Sequence, residues 1–159
     1  MNTPVVVFNA SDELVMLARL GVALACGVVL GLERRRRMYH PAGIRTMALI
    51  TGGSAVFMLV SQFAFDESSD PGRVAAQVVT GVGFLGAGVM IFSRGRIRNL
   101  TTAASIWIAA GVGLAAGAGL FVLAGATTIS MAIILYVIRP RPTSRLDEND
   151  ENDLLVASI

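Results

Sequence analysis

Forty consecutive residues, Asn99 to Ile138, carry no charge. As one straight helix this run would be about 60 Å long, twice the roughly 30 Å hydrocarbon thickness of a bilayer. It must therefore fold back. Gly117-Ala118-Gly119, near its middle, is the weakest helical stretch, so two spans are expected, over residues 101–116 and 120–138. The composition agrees: 54% of the chain is hydrophobic and 15% is charged, against about 25% charged in soluble domains.

Three further apolar runs precede this one, over residues 14–32, 44–65 and 72–92. Each approaches the roughly 20 residues a spanning helix needs. Asp12 and Glu13 sit where a helix N-terminus favours negative charge. Pro41 and Gly43 interrupt the first loop, and Asp70-Pro71 reads as an N-cap followed by proline at the first helical position. The expectation is an all-α membrane protein of five transmembrane helices in a compact, glycine-rich bundle. Residues 1–138 form the membrane domain, and residues 139–159, with two prolines and five acids, an acidic, disordered tail. Met1 to Glu13 lacks the basic segment of a cleavable signal peptide, so the first span is expected to remain.

Five spans sort the arginines, which are all thirteen of the basic residues. Arg34 to Arg37, Arg45, Arg94, Arg96, Arg98, Arg139, Arg141 and Arg145 fall on one side, and only Arg19 and Arg73 on the other. By the positive-inside rule the N-terminus is outside and the C-terminus cytoplasmic. Arg19, inside the first span, is expected to snorkel outward and to meet Asp70, Arg73 and Gln77.

Gly81-Val82-Gly83-Phe84-Leu85-Gly86 spells GxGxxG. A dinucleotide turn needs a preceding strand and an acidic residue about twenty positions on. Here the next acid after Asp70 is Asp147, and the motif lies within a span. The glycines are instead assigned to helix packing, which in membranes favours small residues. Ala23, Gly27 and Gly31 form one row and Ala76, Thr80, Gly83 and Ala87 another, with Gly81, Gly86 and Gly88 nearby. Two more rows lie in the fourth span: Ser105, Ala109, Gly113, Gly117, and Trp107, Gly111, Ala115, Gly119. Spans one, three and four are therefore expected to pack tightly, with Trp107 in the packing.

Among polar residues, Glu33 fits either local neutralisation or a latch to Arg37, Arg45 or Arg98. Arg34 to Arg37 read as a topology signal that also contacts anionic lipid, with binding of a nucleotide or an acidic partner protein as the alternative. Thr101 and Thr102 fit capping or interhelical bonding. Arg73 and Gln77 fit interfacial anchoring or a bundle-facing role. The lone Cys26 implies neither a disulfide nor a thiolate cluster, and His40 has no second ligand. No nucleophile–base pair, intramembrane carboxylate pair or metal-ligand spacing is present, so no enzyme activity, metal site or cofactor is expected. Nucleic acid is not an expected partner.

Several stretches occur together in a recognisable order: Gly31-Leu32-Glu33-Arg34, Ala42-Gly43-Ile44-Arg45-Thr46, Asp70-Pro71-Gly72-Arg73-Val74-Ala75-Ala76-Gln77, Gly81 to Val89, and Leu100-Thr101-Thr102-Ala103-Ala104-Ser105-Ile106-Trp107. In this the chain resembles the MgtC/SapB family of bacterial inner-membrane proteins. The resemblance implies a multi-pass protein tied to growth at low magnesium and, in pathogens, to survival inside macrophages. Family members have been labelled magnesium transporters. The resemblance favours a regulator of partner membrane complexes such as the proton-translocating ATP synthase, and is compatible with a homo-oligomer. Glu33, Arg34, Arg45, Thr46, Asp70, Arg73, Gln77, Arg98, Thr101 and Thr102 are its candidate functional polar residues. Many members carry a soluble C-terminal domain where this sequence has an acidic tail. Asn99 stands where the family usually has glycine.

Overall fold

A computed structural model of the chain describes residues 9–35, 42–64, 70, 72–93 and 96–137. Its helices are α1 (Ala10–Arg35), α2 (Ile44–Phe63), α3 (Gly72–Val89), α4 (Leu100–Gly117) and α5 (Phe121–Val137). The first four are long and apolar enough to cross a membrane, and α5 is a shorter apolar helix. At 17 residues, α5 is about 26 Å long. Arg36, Arg37, His40, Arg94 and the 139–159 tail lie outside the described residues.

Local chemistry sets the helix ends. The Asn9 carbonyl accepts from the backbone N–H groups of Asp12 and Glu13, opening α1 before the apolar run begins. Asp70 Oδ1 accepts from the Gly72 N–H at 2.8 Å, satisfying one of the unpaired donors that begin α3. α4 closes in a Schellman arrangement. The Gly119 N–H donates to the Ala116 carbonyl and the Leu120 N–H to the Ala115 carbonyl. Gly119 there has φ +85°, a left-handed conformation that L side chains rarely adopt.

α3 stops at Val89, three residues before the expected end. Two short strands follow, β1 (Ile91–Ser93) and β2 (Arg96–Arg98). They pair antiparallel, with Phe92 opposite Ile97 and Ile91 opposite Arg98. The all-helical expectation missed this hairpin. β1 carries Ile91 and Phe92 and β2 alternates Arg96-Ile97-Arg98, a strand pattern too short to register beside long spans. Phe92 and Ile97 share one exposed face.

The helices do not pack as the glycine rows suggest. α2 is central: α1 packs most extensively on it, and α4 comes next. α3 leans on α4 and only lightly on α2. The tight group is therefore α1, α2 and α4, where α1, α3 and α4 were expected. Its closest contacts are glycines against the small face of α2. A Cβ on Gly27 would collide with Thr51 Oγ1, one on Gly31 with the Ile44 backbone, and one on Gly113 with the Thr51 carbonyl. On Gly117 it would lie 2.7 Å from the Ala55 carbonyl oxygen. Buried Thr51 meets its own need by donating to the Met47 and Ala48 carbonyls, as a hydroxyl within a bilayer must.

The core has two parts. One, around Leu30, Met47, Val82, Ile106 and Met131, lies toward the Arg34 end of α1. The other is mostly alanine: Ala23, Ala55, Val112, Ala116 and Ala124. Outside it, large apolar side chains such as Leu14, Phe84 and Val122 are exposed around the bundle, as a lipid-facing surface requires.

Candidate functional site

Two arginines tie α1 to opposite ends of α4. Arg34, in the last turn of α1, is only 4% exposed. Its Nη2 donates to the Thr101 carbonyl at 3.1 Å and to Ser105 Oγ at 2.6 Å. Ser105 Oγ in turn donates to the Thr101 carbonyl at 2.7 Å. A guanidinium at a helix C-terminus also complements the helix dipole. Arg34 is thus a bundle residue, not the surface lipid contact expected of the arginine run.

Fifteen residues back, about 22 Å along the axis, Arg19 does the same for the other end of α4. Its Nη1 donates to Gln62 Oε1 at 3.0 Å and to the Gly117 carbonyl at 3.1 Å. Its guanidinium carbon lies 5.5 Å from the Phe63 ring centroid, within cation–π range. The expected cluster of Arg19 with Asp70, Arg73 and Gln77 does not form. A charge inside a span needs partners, and the ends of α2 and α4 supply them. Gln62 and Phe63 were missed. The available signal was an amide near the end of the second span, on the same side as Arg19.

α3 shows three faces. Val82 and Gly86 are buried, and a Cβ on Gly86 would sit 3.6 Å from Ala103. The expected packing row of Ala76, Thr80, Gly83 and Ala87 is exposed throughout. A Cβ on Gly81, Gly83 or Gly88 would meet nothing within 4 Å. A Cβ on these three glycines therefore packs against no described residue. The spacing lets a helix approach, but among the described residues no helix closes on Gly83 or Gly88, and α2 stands off from Gly81 across a groove. The third face, with Arg73, Gln77 and Gly81, walls a groove of about 890 Å³ whose other wall is α2.

In α4 the two rows part in the same way. Ser105, Ala109, Gly113 and Gly117 are buried, whereas Trp107 and Gly111 are exposed. Trp107 is 54% exposed and is not the packing residue expected. Thr102 is buried and Thr101 exposed, and neither caps α4. Asn99 takes that place with φ +64°, while its Nδ2 donates to the Val89 carbonyl at 3.1 Å. Half-buried Glu33 forms no ion pair with a described residue. Arg45 and Arg98 are exposed, and Thr46 lies at the groove.

The chain is similar in sequence to several known proteins. The chain is 50% identical over 93 residues to YhiD of Escherichia coli K12, described as a candidate magnesium transporter, covering 54% of this chain and 42% of that protein. It is 46% identical over 91 residues to MgtC of Salmonella typhimurium LT2, covering 57% and 38%. It is 41% identical over 123 residues to MgtC of Brucella abortus, covering 77% and 51%. The chain thus spans about half the length of these relatives, or less. No solved structure matches it. The MgtC family model matches residues 20–143, which takes in both arginine clamps' partners on α4, all of α3 and the hairpin. On that match, and on its bundle of apolar helices, the chain belongs to the MgtC family.

Proposed function

We propose that this chain is a non-enzymatic, multi-pass protein of the bacterial inner membrane. It supports magnesium homeostasis by modulating a partner membrane complex, for which the family resemblance suggests the ATP synthase. The supporting observation is the uncovered small-residue row of α3. Ala76, Thr80, Gly83 and Ala87 are exposed, whereas the comparable row of α4 is buried against its neighbours. Small residues at this spacing let a second membrane helix approach to backbone contact. The arginine sorting supports an N-terminus outside and a C-terminus in the cytoplasm. The antiparallel pairing of α1 with α4 through Arg19–Gly117 and Arg34–Thr101 is compatible with that orientation.

The described carboxylates Asp12, Glu13, Glu33 and Asp70 sit at helix ends, away from the middle of any span. That placement favours modulation over ion conduction. The description of the Escherichia coli relative as a candidate magnesium transporter supports the second reading, a small magnesium transporter.

Photocrosslinking in native membranes separates the two. A crosslinker at position 84, where exposed Phe84 stands beside Gly83, should capture a membrane protein, and one at position 53, inside the groove, should not. Gly83→Leu should abolish the adduct and the growth benefit at limiting magnesium. Magnesium flux into proteoliposomes that is robust and lost in Glu33→Gln or Arg73→Ala would establish the transporter reading instead.

A further inference from the structure

The glycines of this bundle fall into two kinds. Gly27 and Gly31 of α1 and Gly113 and Gly117 of α4 are in hard contact with α2, whereas a Cβ on Gly53 of α2 or Gly81 of α3 would meet nothing within 4 Å. Both of these open glycines line the groove between α2 and α3. From Arg73 to Val89 that groove runs about 24 Å, most of a hydrocarbon thickness. Phe57, Leu85 and other apolar groups line it, and its charged residue is Arg73, at the end where α3 begins.

The lining and the mouth select the occupant. The groove holds about 890 Å³, within the roughly 300–1,000 Å³ range of small-molecule sites. Its shape suits something long, thin and apolar. Its mouth suits an anion: Arg73 is exposed, and no described carboxylate pairs with it. A guanidinium matches the fork of a phosphodiester. Gln77, one turn deeper, offers an amide below the phosphate level, where glycerol ester carbonyls hang.

We propose that the α2–α3 groove binds one anionic glycerophospholipid, with its phosphate on Arg73 and its acyl chains lying past Gly53 and Gly81. This inference rests on the chain lying in a membrane and is independent of the modulatory reading, which uses the opposite face of α3.

Native mass spectrometry of the detergent-purified chain, after exchange into phosphatidylglycerol or phosphatidylcholine, tests it. The wild type should retain one phosphatidylglycerol per chain and little phosphatidylcholine. Arg73→Gln should lower retention about tenfold, the scale of one charge-assisted contact, and erase the preference between the two lipids. Gly81→Leu fills the groove where a Cβ meets nothing, so it should also expel the lipid. Gly83→Leu, on the outer face, should retain it. Thermal unfolding in the same detergent confirms that each variant folds, and exposed Arg73 carries the test if Gly81→Leu does not. Equal phosphatidylglycerol retention in wild type and Arg73→Gln overturns the proposal, as does equal retention of both lipids. A lipid-free dimer that Gly81→Leu converts to monomer would show the groove to be an interface between copies.

Discussion

Arg19 caps the C-terminus of α4 through Gly117: its Nη1 donates to that residue's carbonyl at 3.1 Å, across ninety-eight residues of sequence. The carbonyl is one of those a helix end leaves without an intrahelical donor. The cap also fixes the next turn, because a Cβ on Gly119 would stand 3.2 Å from the Arg19 guanidinium carbon. Gly119→Ala therefore combines a left-handed backbone with crowding of the cap. It should cost about 1–3 kcal/mol, read as a lower unfolding temperature in detergent. Arg19→Ala should cost a similar amount, about 1.5–3 kcal/mol, and the double variant less than the sum.

The Arg34 clamp predicts coupling of the same kind. Ser105→Ala removes an acceptor of the buried guanidinium, and Arg34→Met removes the donor. Each single change should destabilise by about 1–3 kcal/mol. A double-mutant cycle should return a coupling of about 0.5–3 kcal/mol. Additive effects would show that the 2.6 Å contact carries no stability.

The two kinds of glycine respond oppositely to alanine. Gly27→Ala and Gly113→Ala force a methyl onto Thr51 and should lower the unfolding free energy by about 1–3 kcal/mol. Gly83→Ala and Gly88→Ala place a methyl in open space and remove helical backbone freedom. They should stabilise the isolated chain by up to about 1 kcal/mol. Chemical unfolding of the four variants side by side makes the comparison.

Asn99 holds a left-handed conformation at the start of α4 and ties it to α3 through the Val89 carbonyl. Asn99→Ala loses the bond and retains the strain, costing about 1–3 kcal/mol. Asn99→Gly, the residue usual in the family, loses the bond but relieves the strain, so it should lie between alanine and wild type. Slower hydrogen exchange at the start of α4 in wild type than in either variant would locate the effect.

Much of the architecture was legible because it is local. The long uncharged run had to break, and it breaks at Gly117-Ala118-Gly119, where α4 ends and α5 begins two residues after the left-handed glycine. Asp70 before Pro71 reads as a cap, and its carboxylate accepts from Gly72. The hairpin was not legible, because three residues per strand leave too little alternation to compete with an apolar span. Arg34 was misread because it sits in a run of four arginines. Nothing in the run's composition tells that Arg34 turns inward; that depends on where α1 meets α4, which brings Thr101 and Ser105 within its reach.

The sequence by itself determined that this is a bundle of apolar helices and roughly where each begins and ends. Length, hydropathy and capping act on residues close along the chain. It also determined that several helices carry small-residue rows. Only the tertiary structure decided which rows close. Rows of the same kind lie on α3 and α4, yet Gly113 meets α2 and Gly83 meets nothing. Small residues remove an obstacle to approach without attracting a particular partner. The choice falls to the side chains opposite, and α2 presents Thr51, Ser54 and Ala55 to α4. On its other side α2 faces α3 across a groove edged by Leu49 and Phe57.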